Sequence, residues 1–317
     1  MKLIPWTNDK LEEIVELWNN EVGESFPMLE ELFEQNSFLD ENICLEGSRI
    51  AVTKNNQVIG FLVAKRWQEE LQVGMKPEFG WIQVLIVKQS YRKQGIGKHL
   101  LDHAEEVFQS KGVKRIILGR DPWHYFPGIP EQFEDVCRWF EHKGYEKHGT
   151  DYDLIRSYNP IEKHSIPNIK DVEFALLKTN EKEHLLDFLH RCFPGRWEYE
   201  AITYFERGGT GREFVVLKKK DQIIGFCRIN DSMSPLIAQN VYWAPLFKEE
   251  LGGIGPLGID AKERKNGYGL AIVEAGIAFL RERGINRIVI DWTGLVDFYQ
   301  KLGYGKWKTY KSYRKDL

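Results

Sequence analysis

Apolar residues fall along the chain in two regimes, short continuous runs and longer stretches with helical spacing. The runs at 58–64 and 223–227 each follow a turn-like pair, Asn55-Asn56 and Lys220-Asp221, which predicts the second strand of a hairpin. Runs at 81–87 and 254–259 predict further strands, each leading into a glycine-rich turn. Helical spacing follows both turns. Leu100, Leu101, Ala104, Val107 and Phe108 form one apolar stripe, and Leu270, Val273, Ile277 and Leu280 form another. Gly112 and Gly284 mark the ends of these helices. Short buried strands are expected at 116–118 and 288–290, then helices ending at Gly144 and Gly303 and a final strand pair. Amphipathic helices are expected before each sheet, at 11–18 and 183–193.

The order of elements repeats because the sequence repeats. Arg92-Lys93-Gln94-Gly95-Ile96-Gly97 and Arg264-Lys265-Asn266-Gly267-Tyr268-Gly269 both read Arg-x-x-Gly-x-Gly, 172 positions apart. Gly112 to Ile117 matches Gly284 to Val289 at the same offset. Gln57-Val58-Ile59-Gly60-Phe61 pairs with Gln222-Ile223-Ile224-Gly225-Phe226 at an offset of 165, and Phe140 to Tyr145 with Tyr299 to Tyr304 at 159. Four blocks in constant order with changing offsets indicate one domain present twice. The expected division is 1–158 and 170–317, joined by a polar, proline-containing linker at 159–169.

Composition narrows the function. With 42% hydrophobic and 29% charged residues, the chain has the usage of a soluble globular protein, and 317 residues suit about two domains. Its 47 acidic and 44 basic residues leave no basic surplus for nucleic acid. The amino-terminal segment lacks the features of a secretion signal, and no apolar run approaches the roughly 18 residues of a membrane span. Cys44, Cys137, Cys192 and Cys227 are scattered without a Cys-x-x-Cys pair, so neither a disulfide framework nor structural zinc is expected, and a cytoplasmic location is. His99 and His103 lie four apart on a helix but lack the companion ligands of a metal site.

The candidate chemistry sits in the glycine turn, the competing reading being a plain strand-to-helix turn with solvated bases. A strand that ends in Arg-x-x-Gly-x-Gly and opens a helix presents backbone N–H groups at a positive helix terminus, which suits phosphate or pyrophosphate. Gly97-Lys98 is followed by His99, so this is not a Walker-type loop. Gly253-Ile254-Gly255-Pro256-Leu257-Gly258 matches a dinucleotide fingerprint in letters only, because proline stands where a helix should begin.

Apolar strand, Arg-x-x-Gly-x-Gly, amphipathic helix, strand and then Phe298-Tyr299-Gln300-Lys301-Leu302-Gly303-Tyr304 resembles the GNAT N-acetyltransferase superfamily, over nearly the whole chain as a tandem pair. The resemblance implies an α/β fold of the α+β type, two GNAT-like domains each with a mixed, mostly antiparallel central sheet flanked by helices. It implies acetyl-CoA as co-substrate, no metal, and direct attack by a primary amine. Arg264, Lys265, Asn266, Gly267, Tyr268 and Gly269 would hold the pyrophosphate. Leu257, Gly258 and Ile259 would line the pantetheine and offer an N–H to the thioester oxygen. In the first copy the corresponding positions are Leu85, Ile86 and Val87, then Arg92, Lys93, Gln94, Gly95, Ile96 and Gly97.

By the same resemblance Tyr299 is the proton donor to the leaving thiolate, the other reading being a buried aromatic with a satisfied hydroxyl. Phe140 replaces it in the first copy, so the second domain is expected to be catalytic and the first degenerate, though water or His142 could stand in. Asp291 is the candidate base, with a helix N-cap as the competing role. Glu78 and Asp231 are weaker candidates. An aromatic insertion, Asp121 to Pro130, and a second aromatic segment, Phe193 to Tyr199, suit either a cover over a ligand groove or domain packing. Resemblance to two-domain relatives implies a small-molecule amine as acceptor, an amino sugar being the example, with neither nucleic acid nor membrane as partner. A non-catalytic acyl-CoA-binding module and a protein or peptide N-acetyltransferase are the alternatives.

Overall fold

A computed structural model of the chain describes residues 1–317. It contains two compact units. The first comprises Met1–Leu71, Lys76–Asp151 and Thr309–Leu317, and the second Gln72–Met75 and Tyr152–Lys308.

The elements of the first half are β1 (Lys2–Pro5), α1 (Leu11–Val22), α2 (Glu30–Ser37), β2 (Arg49–Val52), β3 (Val58–Arg66), β4 (Phe79–Val87), α3 (Ile96–Ser110), β5 (Arg115–Leu118), β6 (Ile129–Pro130), α4 (Glu134–Glu141) and β7 (Glu146–Ser157). Those of the second are β8 (Glu173–Leu176), α5 (Lys182–Cys192), α6 (Arg196–Glu206), β9 (Phe214–Lys219), β10 (Gln222–Asn230), β11 (Leu251–Ile259), α7 (Tyr268–Glu282), β12 (Arg287–Thr293), α8 (Val296–Gln300) and β13 (Gly305–Asp316).

In the first unit the strand order is β1-β2-β3-β4-β5-β13, antiparallel except for β4 and β5. In the second it is β8-β9-β10-β11-β12-β7, antiparallel except for β11 and β12. Each unit is therefore a mixed, mostly antiparallel sheet with helices beside it.

The periodic helices bury most of their expected stripes, except that Val107 is partly buried and Leu270 half-buried, while α7 also buries residues outside its stripe. α3 buries Leu100, Leu101, Ala104 and Phe108 in a core with Ile59, Leu62 and Ile82. α7 buries Ile272, Val273, Ala275 and Ile277 against Ile229 and Ile254. Fully burying one such aliphatic side chain contributes about 1.5–3 kcal/mol. The segment at 158–172 has no helix or strand, and Ile166, Ile169 and Val172 pack on the second core.

Two helices, α2 and α6, are not announced by apolar periodicity. α6 buries Glu198, Tyr199, Glu200 and Tyr204 beside Ala201, so its inner face is largely polar and aromatic. No helix is long and apolar enough to cross a membrane.

Of the two readings of the aromatic insertion, packing is the one the structure bears out. Trp123 and Tyr125 are buried in the first unit, where Tyr125 meets the rings of Trp18 and Phe33 and its hydroxyl lies 2.7 Å from Ser37 Oγ. Asp121, in the same insertion, joins Asp40 about a fully buried Lys65, each carboxylate 2.7 Å from the ammonium. Leaving that lysine in the core without carboxylates would cost several kcal/mol, which fixes the insertion inside.

Candidate active site

The site begins where two parallel strands stop pairing. β11 and β12 are in register through Leu251↔Arg287, Gly252↔Ile288 and Gly253↔Val289, and no further. Beyond that point β11 keeps β10 on one side, with Leu257 opposite Cys227 and Gly258 opposite Phe226. Its other edge has no strand, so alternate backbone groups there are left for a ligand. A cavity of about 760 Å³ opens along this edge, lined by Gly255 to Ile259 and by Ile290 to Gly294. The sequence Gly253 to Gly258, which mimics a dinucleotide fingerprint, is part of strand β11.

At the end of β11 the chain makes the glycine turn. Asp260 Oδ1 accepts from the Lys262 N–H at 3.0 Å, Lys265 and Gly267 take φ of +69° and +78°, and α7 starts at Tyr268. A Cβ on Gly267 would meet nothing within 4 Å, so the positive φ alone explains glycine there. The Arg264 Nε–H donates to the Ile259 carbonyl at 3.3 Å and folds the turn back onto the strand. Arg264, Lys265, Gly267, Tyr268 and Gly269 all line the cavity.

The first unit repeats this geometry, with Lys93 at +60°, Gly95 at +85° and Arg92 Nε donating to the Val87 carbonyl at 2.9 Å. One difference alters its charge. Arg92 is paired with Glu21, which also accepts from the Gln89 N–H at 2.8 Å, whereas Arg264 forms no ion pair.

Asp291 and Tyr299 both line the cavity. Asp291 is not a helix cap: Leu295 occupies the N-cap of α8, and its N–H donates to Thr293 Oγ1 at 3.0 Å. Burial pushes the Asp291 carboxyl up to about 6, with the Glu200 carboxylate acting in the same direction and Arg196 and Asn240 against it. Tyr299 is buried on α8, and burial, then the neighbouring Cys227 and Asp291, hold its phenol well above the usual range. It is therefore a neutral O–H at physiological pH, and no protein acceptor takes it.

Beside Asp291, Trp292 has φ of +41°, unusual for a bulky residue, and its N–H donates to the buried Asp153 at 3.0 Å. The Arg196 guanidinium lies 4.6 Å from the Trp292 ring centre, and its Nε donates to Glu200 at 2.5 Å. Trp197 and Gln239 complete this wall of the cavity.

The weaker candidates lie elsewhere. Asp231 is held below the usual carboxylate range, since bonds from Arg212 and Arg283 outweigh its burial, and it does not line the cavity. Glu78 is exposed in the turn before β4. His142 is exposed, its Nδ1 2.6 Å from the Arg138 carbonyl. His99 and His103 each lie against a backbone carbonyl, and no group of three or more His, Cys, Asp or Glu is placed to hold a metal.

In the first unit the position 172 residues before Asp291 is Gly119, and Phe140 stands for Tyr299, buried against Trp139 and Tyr145. Neither a carboxylate nor a phenol is present at those places. Glu200, Gln239 and Asn240 escaped the sequence reading, whereas Arg196 lies within the aromatic segment it singled out. Only the aromatic run around Trp197 signalled that wall.

Comparison with known proteins bears on this geometry. The sequence model of the acetyltransferase (GNAT) family matches residues 11–126 and again 182–304. An uncharacterized N-acetyltransferase of Methanocaldococcus jannaschii is 26% identical over 199 residues, 54% of this chain and 88% of that protein. A mycothiol acetyltransferase of Thermobispora bispora is 31% identical over 84 residues, 23% of this chain and 28% of its own length. Among solved structures, the glucosamine N-acetyltransferase region of a fungal multi-domain β-N-acetylglucosaminidase superposes with a TM-score of 0.88 at 24% identity. That likeness of fold covers 99% of this chain and 38% of the fungal one.

Proposed function

The chain belongs to the acetyltransferase (GNAT) family, and from that premise we propose that it moves an acetyl group from acetyl-CoA to a primary amine of a small molecule. The chemistry is assigned to the second unit. The observation that carries this reading is convergence on one cavity: the unpaired edge of β11, the glycine turn of α7, a carboxyl and a phenol. The first unit keeps the turn but has Gly119 and Phe140 at the two reactive positions. The two sequence copies, 1–158 and 170–317, are read as a duplicated domain in which one copy has lost these groups.

The cavity fits acetyl-CoA by the chemistry of its walls. Arg264, Lys265, Asn266, Gly267, Tyr268 and Gly269 would take the pyrophosphate, and Leu257, Gly258 and Ile259 would line the pantetheine. In the first unit Leu85 to Val87 and Arg92 to Gly97 are the corresponding positions, with Glu21 already at the turn. Bound there, acetyl-CoA supplies an activated acyl thioester. Asp291, with its carboxyl near 6, is ionised at neutral pH and basic enough to accept a proton from an ammonium. Tyr299 keeps its proton for the departing sulfur. Positioning both groups on strands and a helix rather than on loops limits their loss of entropy on reaction.

The acceptor wall favours a polyhydroxylated amine, of which an amino sugar is the reading adopted. Trp197 and Trp292 offer flat apolar surface, and Glu200, Gln239 and Arg196 offer hydrogen bonds beside it. The fungal fold neighbour, named for glucosamine acetylation, makes glucosamine the first amine to test.

The test is free-thiol release from acetyl-CoA by the full chain, with glucosamine and a panel of other primary amines, alongside Tyr299→Phe. Amine-dependent release that falls by about 10²-fold in the variant supports the proposal. Acetyl-CoA binding without release for any amine favours a non-catalytic acyl-CoA module, and release only with peptides favours a protein or peptide acetyltransferase.

A further inference from the structure

We infer that Asn240 is a positioning residue that orients Asp291 across the gap between β11 and β12. The inference rests on the reading of Asp291 as the base.

Asn240 lies in the 3-10 turn Gln239–Val241, the first of two on the connection from β10 to β11, and is 3% exposed. Its Nδ2 donates to the Gly255 carbonyl at 3.3 Å and to Asp291 Oδ1 at 3.1 Å. Those acceptors belong to the two strands just past Gly253↔Val289, where their own ladder ends. Its Oδ1 accepts from Asn230 Nδ2 at 3.1 Å. This orientation of the amide is dictated by its surroundings. A flipped amide would set oxygen against a carbonyl and a carboxylate, and nitrogen against a donor.

The glycines of β11 make room for this arrangement. A Cβ on Gly253 would stand 1.9 Å from Asn240 Oδ1. Gly255, with φ of +133°, would place a Cβ 3.4 Å from Asp291 Oδ1. The inserted amide thus explains the first glycine of the spacing that imitates a nucleotide fingerprint; positive φ explains Gly255, and the Phe193 ring, 2.4 Å from a Cβ on Gly258, explains the third.

The charged and titratable groups around Asp291 are Arg196 and Glu200 on α6 and Tyr299 on α8, with Asp153 on β7 bonded to the next residue. Arg196 is directed to Glu200 and Trp292. Asn240 supplies a neutral side-chain donor to one carboxylate oxygen, beside the charge of Arg196 and the backbone N–H of Asp291 itself. A donor to the ionised form favours that form, so its removal makes the carboxyl a weaker acid.

The experiment is a carboxyl ¹³C NMR titration of the full chain as wild type, Asn240→Ala, Asn240→Asp and Asp291→Asn. The Asp291 resonance is identified by its loss in the last variant. We expect its midpoint to rise by about one pH unit in Asn240→Ala and further in Asn240→Asp, which puts a second carboxyl beside it. With an accepted amine, the acid limb of kcat moves to higher pH by the same amount, while KM for acetyl-CoA stays within about twofold. A midpoint unchanged in both variants overturns the inference, as does a kcat lowered equally at every pH. Asn240→Asp is close in shape to the native residue and keeps the test open if the alanine variant unfolds. If Asp291→Asn itself retains full activity, the reading of Asp291 as base fails, a result separate from the Asn240 outcome.

Discussion

Asp291 holds a carboxyl where charge is disfavoured, and this gives opposite expectations for stability and activity. Its folded-state value near 6 lies above the ordinary 3.8, so the native state binds the proton more tightly than the unfolded chain. Sign follows from linkage: the penalty is absent below about pH 4, grows as pH rises to about 6 and is constant above. Asp291→Asn removes the penalty and keeps the bond from Asn240. At pH 7.5 the variant is expected to be more stable, by at most about 3 kcal/mol and by less to the extent that the cavity hydrates the carboxyl. Thermal unfolding at pH 4 and 7.5 checks this, with no difference expected at the lower pH. The same variant is expected to lose about 10²- to 10⁴-fold in kcat. Wild-type kcat should fall as pH drops through about 6. Tyr299 was legible in the sequence because its Phe-Tyr-x-x-Leu-Gly-Tyr setting is local. The alternative role of Asp291 as a helix cap was excluded only by the loop geometry, in which Thr293 serves the Leu295 N–H.

Among the elements, the glycine turn is the one that the chain specifies most completely. Two residues in positive φ and a helix beginning directly afterwards recur in both units, because Arg-x-x-Gly-x-Gly encodes the backbone path itself. Gly95→Ala and Gly267→Ala should each cost about 1–2 kcal/mol of stability, the penalty for a Cβ in left-handed backbone, measurable by urea unfolding. If the second unit carries the chemistry, only Gly267→Ala should also raise KM for acetyl-CoA. α6 shows the opposite case. It contributes Arg196 and Glu200 to the cavity wall, yet its buried face is polar and aromatic, so no apolar stripe marks it as a helix. Helices whose inner face serves a site rather than a core hide from periodicity.

At the scale of the whole molecule, the strand pairing divides the chain differently from the order of its residues. Residues 152–157 of β7 pair with β12 in the second unit, while Thr309–Leu317 belongs to the first, where Arg314 lies opposite Ile117. Tyr310 and Tyr313 are each 1% exposed there. Ending the chain after Lys308 should therefore destabilise the first unit, by several kcal/mol for the two buried aromatics. Limited proteolysis of that truncated chain is expected to cut first within residues 1–151, and initial cutting within the second unit would contradict the pairing. By itself the sequence determined the duplication, the α/β class, the two glycine turns and the family, since each is written in local spacing or in a motif repeated along the chain. Only the tertiary structure decided which strands complete each sheet, that the insertion at Asp121 to Pro130 is buried, and that Asn240 meets Asp291 across 51 positions. Such contacts are long-range, and their energy depends on burial and on which polar groups are left unsatisfied, quantities that exist only once the chain has folded.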